Sequence, residues 1–378
     1  MTFNSLGLAD QLLRAVQEEG YQTPSEIQKL AIPAALQKKD ILAAAQTGSG
    51  KTAGFALPVL QHILSKKEAG AAPALRALIV VPTRELAAQI YSSIQSLGKY
   101  SGIKSFSVTG GVNIRPQIQK LKQDIDILVA TPGRLLDLHK QGAVNLKKIE
   151  ISILDEADKM LDMGFIHDIR KILKILPVER QNMLFSATFS PEIKKLASGF
   201  IKNPIHIDVS PKGISAASIC QSAYMVDQSD KTEFLCSMIQ NDAWEQVLIF
   251  TKTKHGANRL SKKLLQRGIS SDAIHGNKSM NARTKALNDF KIKKVRALVA
   301  TDIAARGIDI INLPHVVNFE LPFVAEDYVH RIGRTGRAGK SGIAVSLVSP
   351  EEKNLMRSIE KLLNRKIPYK IPDKIGKN

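Results

Sequence analysis

Short apolar runs alternate with segments of helical period along this chain, and the pattern runs through twice. The runs fall at residues 41–45, 77–81, 125–130, 151–154 and 183–185, then again at 247–250, 273–274, 295–300, 316–319 and 343–348. Runs this short and this uniformly apolar read as strands buried on both faces. That happens when a parallel sheet is covered by helices on each side. Helical spacing between the runs supports this, as in Leu86, Ile90, Ile94 and Leu97, and in Ile169, Ile172, Leu173 and Leu176. The expected fold class is therefore α/β, with two tandem doubly wound parallel-sheet domains.

The 378 residues exceed what one ordinary core organises. The stretch 203–218 holds Pro204, Pro211, Gly213 and three serines without a sustained apolar period, as suits a flexible connector. The expected division is a first domain over 1–205, a linker over 206–218, a second domain over 219–368 and a short basic tail over 369–378. The tetrapeptide L-V-A-T occurs at 128–131 and again at 298–301, hinting that the halves are related.

The formal net charge of +19 favours a polyanionic partner, because Lys and Arg that neutralise phosphates release condensed counterions. The charge is uneven. Residues 1–200 carry 25 basic and 18 acidic side chains, a balance of +7, whereas residues 251–300 alone carry 13 and 2, a balance of +11. No stretch approaches the roughly 18 uninterrupted apolar residues of a membrane span. Cys220 and Cys236 are too few for a disulfide framework or a metal cluster. A cytoplasmic protein is expected.

The strongest local signal is A-Q-T-G-S-G-K-T, comprising Ala45, Gln46, Thr47, Gly48, Ser49, Gly50, Lys51 and Thr52, directly after the first strand. Glycines there let backbone N–H groups wrap phosphate oxygens, Lys51 supplies charge to the β and γ phosphates, and Thr52 can ligate Mg²⁺. Ala45 stands where the generic pattern has Gly. A second apolar run ends in D-E-A-D at 155–158. Asp155 would hold Mg²⁺, partly through water, and Glu156 would orient or deprotonate the attacking water. Thr23, Pro24 and Glu26 read as a capping box with Pro at the first helical position.

These motifs continue with P-T-R-E-L-A at 82–87, T-P-G-R at 131–134, S-A-T at 186–188, A-T-D-I-A-A-R-G-I-D at 300–309 and H-R-I-G-R-T-G-R at 330–337. In that order and spacing the chain resembles the DEAD-box ATP-dependent RNA helicases over nearly its whole length. H-G-N-K-S at 275–279 gives it the texture of the bacterial RhlE type. The resemblance implies two RecA-like domains closing around ATP and single-stranded RNA.

Residue by residue, it implies that Phe3, Tyr21 and Gln28 read adenine and that Asp309 contacts the ribose. Arg84, Gly110, Gly111, Thr131, Arg134 and Thr301 would contact RNA. Ser186, Thr188 and His330 would link the ATP state to the RNA state, with Arg334 and Arg337 as arginine fingers on the γ-phosphate. It further implies ATP and Mg²⁺ as cofactors, single-stranded and short duplex RNA as partners, and protein partners of the ribosome or of RNA decay. Met280 stands where the family often has Gln. An ATP-dependent clamp that holds RNA, with strand separation incidental, remains the rival to an unwinding enzyme.

Overall fold

The computed structural model describes residues 1–45, 48–187, 189–209, 219–302, 313–336 and 342–371. The chain divides into two compact units, Met1–Ser210 and Pro211–Asn378. Among the described residues no helix is long and apolar enough to cross a membrane.

The first unit is built on the strands β1 (Ile41–Ala44), β2 (Ala77–Val80), β3 (Ser105–Val108), β4 (Ile127–Ala130), β5 (Ile151–Leu154), β6 (Gln181–Ser186) and β7 (Ile205–Asp208). They form one sheet in the order β3-β4-β2-β5-β6-β1-β7, paired in parallel throughout. Between them run α1 (Asp10–Glu18), α2 (Glu26–Leu36), α3 (Lys51–Glu68), α4 (Arg84–Leu97), α5 (Ile114–Leu121), α6 (Pro132–Lys140), α7 (Ala157–Asp162), α8 (Ile166–Ile175) and α9 (Pro191–Ser198). Every residue of β1, β2, β4 and β5 is buried. Alternate side chains enter two separate cores: Ile79 and Ile153 pack with Phe55 and Ile90, and Leu78 and Leu154 pack with Leu135 and Ile169 on the opposite face.

The second unit repeats the plan with β8 (Ile219–Met225), β9 (Val247–Phe250), β10 (Ser271–Ile274), β11 (Ala297–Ala300), β12 (His315–Asn318), β13 (Gly342–Val348) and β14 (Tyr369–Lys370). Its order is β10-β11-β9-β12-β13-β8-β14, which is the first sheet's order with seven added to every number. Its described α-helices are α10 (Lys231–Asn241), α11 (Lys254–Gln266), α12 (Met280–Lys291), α13 (Ala325–Ile332) and α14 (Lys353–Leu363).

Two expected boundaries shift. Residues 205–208 form β7 and pair with β1, so the first part of the expected linker belongs to the first sheet. Tyr369 and Lys370, expected in the tail, pair with β8. In both places a short edge strand with mixed polar residues closes a sheet, and its pattern reads as loop. Residues 210–218 of the linker and 372–378 of the tail lie outside the described residues.

Candidate nucleotide and RNA site

Lys51 opens α3 immediately after Gly50, whose φ of 87° is a left-handed conformation that glycine adopts without strain. A side chain at Gly50 has no room: a Cβ would come within 2.6 Å of Gln28 Nε2. Gly48 is also left-handed. Ser49 Oγ is buried with no hydrogen-bond partner among the described residues, which suits a loop shaped to receive another molecule's polar atoms. Gln46 and Thr47 lie outside the described residues. Thr52 is half-buried, one position into α3.

The Lys51 ammonium lies 2.7 Å from Asp155 Oδ1 and 3.8 Å from Glu156 Oε1, with all three side chains buried. Burial by itself disfavours every one of these charges. The two carboxylates nevertheless hold Lys51 above its usual range. Burial raises Asp155 above the usual carboxylate range, against the pull of Lys51 and with Glu156 adding to the rise.

Asp155 Oδ1 also accepts from the Glu156 N–H at 2.8 Å, whereas its Oδ2 is buried without a hydrogen-bond partner among the described residues. That open oxygen and the hydroxyl of Thr52, which follows Lys51 on α3, are oxygen donors of the kind Mg²⁺ takes when phosphates and water complete its shell. The residues fit the expected ion. Glu156 has φ 55° and ψ 49°, a left-handed backbone in a non-glycine residue. Such strain costs on the order of 1–3 kcal/mol and tends to gather at functional sites. Its Oε1 also meets Lys159 Nζ at 2.8 Å.

Gln28 is buried, accepts from the Ser25 N–H at 2.8 Å and donates to Gly50 O at 3.0 Å. This corrects the expected cap. The box is formed by Ser25 and Gln28, because α2 begins at Glu26 and Pro24 precedes the N-cap instead of opening the helix. The Gln28 amide thus ties α2 to the phosphate loop. It keeps one N–H and one lone pair, a donor and acceptor of the kind an adenine edge matches. Tyr21 is partly exposed, and Phe3 is buried in the core, edge-on to the Tyr21 ring at 6.1 Å. Phe3 therefore buttresses Tyr21 and does not itself present an open face.

A second group of expected residues gathers at the carboxyl ends of β2, β3 and β4. Thr83 caps α4 through the Leu86 N–H at 3.2 Å and sets Arg84 at the helix start. Gly111 has φ 69°, and a Cβ there would lie 1.8 Å from an Arg84 guanidinium nitrogen. The Gly110 N–H donates to Thr131 Oγ1 at 3.3 Å, and Arg134 donates to Val112 O at 2.9 Å. Burial pulls the Arg134 guanidinium below its ordinary range, and nearby Arg84 adds to that. Two of its nitrogens, Nε and Nη1, are buried without a hydrogen-bond partner among the described residues. Two arginines, a glycine turn and a hydroxyl in one place make a surface suited to a phosphate backbone.

Ser186 ends β6, fully buried. Next to it, the Ala187 N–H donates to Asp158 Oδ2 at 2.9 Å, so the last acid of D-E-A-D is bonded to S-A-T. Asp158 has no assigned role in the sequence motifs, and its place as the last acid of D-E-A-D is the one signal for it there. Thr188 lies outside the described residues.

In the second unit, Thr301 is buried just after β11, His330 is half-buried on α13 and Arg334 is buried two residues past α13. Asp309 and Arg337 lie outside the described residues. A buried knot there was also missed. Arg331 pairs with Asp302 through Nε to Oδ1 at 2.6 Å and Nη2 to Oδ2 at 2.7 Å, and it bonds Asn318 and the Glu320 carbonyl. Its guanidinium also lies 5.0 Å from the Phe250 ring centre. This fork ties the residue after Thr301 to the helix that carries His330.

The family model for DEAD/DEAH box helicases matches residues 25–196, and that for the helicase conserved C-terminal domain matches residues 230–339. The chain is 41% identical to the DEAD-box ATP-dependent RNA helicase RhpA of Helicobacter pylori over 372 residues, which cover 98% of this chain and 74% of that protein. It is also 41% identical to the DEAD-box ATP-dependent RNA helicase CshA of Bacillus cereus over 366 residues, 97% of this chain and 69% of that one. Among solved structures, it resembles S. cerevisiae Dbp5 bound to RNA and ADP BeF3, with a TM-score of 0.85 and 31% identity, covering 98% of this chain and 96% of that one. A DEAD box protein from Methanococcus jannaschii is 40% identical with a TM-score of 0.57, covering 98% and 99%. With the phosphate loop, the paired carboxylates and the arginine-glycine surface in place on the first sheet, and relatives of this identity spanning almost all of it, the chain belongs to the DEAD/DEAH box helicase family.

Proposed function

We propose that this chain is an ATP-dependent RNA helicase that binds single-stranded RNA, hydrolyses ATP with RNA stimulation and locally separates short duplexes or remodels RNA–protein complexes. The observation that carries the reading is the buried Lys51 ammonium, set at the start of α3 between the Asp155 and Glu156 carboxylates. Binding alone has no use for a carboxylate such as Glu156 beside a phosphate loop, whereas hydrolysis uses one to orient or deprotonate the attacking water.

In this mechanism Lys51 releases its carboxylate partners in part to meet the β and γ phosphates, and the loop N–H groups around Gly48 and Gly50 cradle the same oxygens. Mg²⁺, held by Asp155 and Thr52 partly through water, would neutralise phosphate charge. Glu156 orients the attacking water and takes its proton. Gln28 and Tyr21 recognise adenine, with Phe3 behind Tyr21, and Asp309 contacts the ribose. Arg334 and Arg337 supply charge to the transition state, a contribution of about a thousandfold or more. RNA is held by Arg84, Gly110, Gly111, Thr131, Arg134 and Thr301, and Ser186, Thr188 and His330 report between the two ligands.

Because both ligands favour the same arrangement of the chain, each raises affinity for the other by one factor. Stacking is worth about 1.4 kcal/mol per step in DNA, so about ten base pairs is near the limit for one binding event. The finer readings stand with this proposal: two domains joined by a connector near 206–218, a cytoplasmic setting, an RhlE-like subtype, and protein partners of the ribosome or of RNA decay.

The test is ATP turnover with and without single-stranded RNA, alongside strand separation of duplexes of graded length. Stimulation by RNA and release that fades beyond about ten pairs are expected. Turnover indifferent to RNA would sink the reading. RNA-stimulated turnover without release of even the shortest duplex would favour the clamp.

A further inference from the structure

The two sheets share one topology, so the place in the second unit that corresponds to the nucleotide site can be found by counting. In the first unit β2 leads to β3 on one side and β5 leads to β6 on the other, so neighbouring strands diverge between β2 and β5. Ligands of doubly wound sheets bind beyond the carboxyl ends of strands at such a point. The corresponding point in the second unit lies between β9 and β12.

The local chemistry corresponds as well. The helix after the first strand begins Lys51-Thr52 in one unit and Lys231-Thr232 in the other. Three residues past β2 and past β9 a threonine caps the next helix, Thr83 to the Leu86 N–H and Thr253 to the Gly256 N–H. Two residues past β5 stands Glu156, and two past β12 stands Glu320. Lys51 meets the residue directly after β5, Asp155, and Lys231 Nζ donates to the residue directly after β12, the Phe319 carbonyl, at 3.0 Å.

A cavity of about 250 Å³ opens at this point of the second unit, lined by Ser229, Thr232, Thr251, Arg259, Lys263 and Glu320 among others. It is large enough for several waters or one tetrahedral oxyanion. Arg259 and Lys263 stand one turn apart on α11, and neither makes a hydrogen bond or ion pair among the described residues. The Glu320 carboxylate is engaged by the Lys252 N–H at 2.7 Å. Ser229 Oγ donates to Asp230 at 2.9 Å and Thr251 Oγ1 to the Thr253 carbonyl at 3.4 Å, so two cations and the Thr232 hydroxyl face the hollow against the single Glu320 carboxylate, a balance that favours a small anion.

We propose that this cavity is a phosphate-class anion site, the reworked counterpart of the nucleotide site, held by Arg259 and Lys263 with the Thr232 hydroxyl. Glycines that would wrap a polyphosphate are missing from the D-Q-S-D turn at 227–230. Lys231 is committed to Glu352. A single phosphate group, free or in an RNA backbone, is therefore the size of ligand it takes, not a nucleoside triphosphate.

The test is calorimetric titration of the full chain with inorganic phosphate, the nucleotide loop being saturated beforehand with ADP and Mg²⁺. One phosphate is expected to bind, and Arg259→Ala with Lys263→Ala, both exposed positions, is expected to weaken it at least about tenfold. Equal affinity in the double variant, or no heat with the parent chain, overturns the proposal. A second arm adds single-stranded RNA to the phosphate-loaded chain. Displacement in the parent identifies a backbone phosphate as the occupant, and persistence of bound phosphate identifies a free anion.

Discussion

The two units use one sheet topology for different ends, and the contrast is sharpest at Lys51 and Lys231. Both open the helix after the first strand of their sheet, and both are buried beside the end of a central strand. Lys51 faces two carboxylates at the end of a glycine-rich loop whose Ser49 hydroxyl is buried without a partner among the described residues. Lys231 is closed in by Glu352, which also takes Lys252 at 2.8 Å and accepts from the Leu321 and Ser349 N–H groups at 3.1 and 3.3 Å. One lysine is paired with the carboxylates of the proposed chemistry and the other with a carboxylate that braces the fold. Fold alone does not assign chemistry, since it is the loops at the strand ends that differ.

The largest expected effects are losses of turnover in the first unit, and they set Lys51 apart from Lys231 by what is lost. Lys51→Ala should lower RNA-stimulated ATP turnover by at least about 10²- to 10³-fold, as removal of one preorganised charge from a transition state does. Undiminished turnover in a chain that still folds would remove the basis of the nucleotide reading. Glu156→Gln, next to it, should slow turnover by about 10²- to 10⁴-fold while ATP and RNA still bind together. Free dissociation from RNA with ATP bound would contradict the proposed coupling.

Lys231→Met should act on stability. Breaking a buried pair from one side typically costs about 3–5 kcal/mol, and Lys252 remains to meet part of the Glu352 charge, so about 3 kcal/mol is expected. Chemical denaturation measures it. Adding Glu352→Gln, which removes the stranded charge but still accepts hydrogen bonds, should recover part of the loss. A Lys231→Met chain as stable as the parent would mean that the pair carries no structural weight.

The pattern of the two sheets was largely legible in the sequence, whereas the Lys231–Glu352 pair, 121 residues apart, was not. The central strands were legible because burial on both faces makes them uniformly apolar. The strands that escaped notice are those with mixed surroundings: S-F-S-V in β3, I-H-I-D at the edge in β7, I-C-Q-S-A-Y-M in β8 and Y-K at the edge in β14. Their polar residues are tolerated because each lies at or near a sheet margin. In the site, the phosphate loop and D-E-A-D are contiguous and so could be recognised. The Arg331 fork joins residues 29 apart in sequence, and only folding brings them together. The capping box was displaced by two residues because Ser25 and Thr23 are both competent caps, and Pro24 between them can stand before or within the first turn.

Gly111→Ala probes the RNA surface of the first unit. The new Cβ would require an unfavourable backbone at φ 69° and would displace the Arg84 guanidinium. A cost of about 1–2 kcal/mol at the contact corresponds to roughly tenfold weaker RNA, with ATP affinity unchanged in the absence of RNA. Titrating the stimulation of turnover with RNA reads this directly. An unaltered half-maximal RNA concentration would dissociate Gly111 and Arg84 from RNA binding.

The smallest effects come from the two capping threonines, which hold equivalent places and make the same bond. Thr83 accepts from Leu86 at 3.2 Å in a buried setting, and Thr253 accepts from Gly256 at 2.9 Å in an exposed one. Loss of an N-cap side chain usually costs about 1 kcal/mol. At Thr83→Ala the Leu86 N–H is left without water, so the loss should reach about 1–2 kcal/mol. At Thr253→Ala solvent takes over the Gly256 N–H, and about 0.5 kcal/mol is expected. Denaturation midpoints of the two variants rank them. The reverse order would mean that the second unit depends more on its cap than its exposure suggests, and the geometric equivalence of the two units would then extend to their energetics less closely than their topology implies.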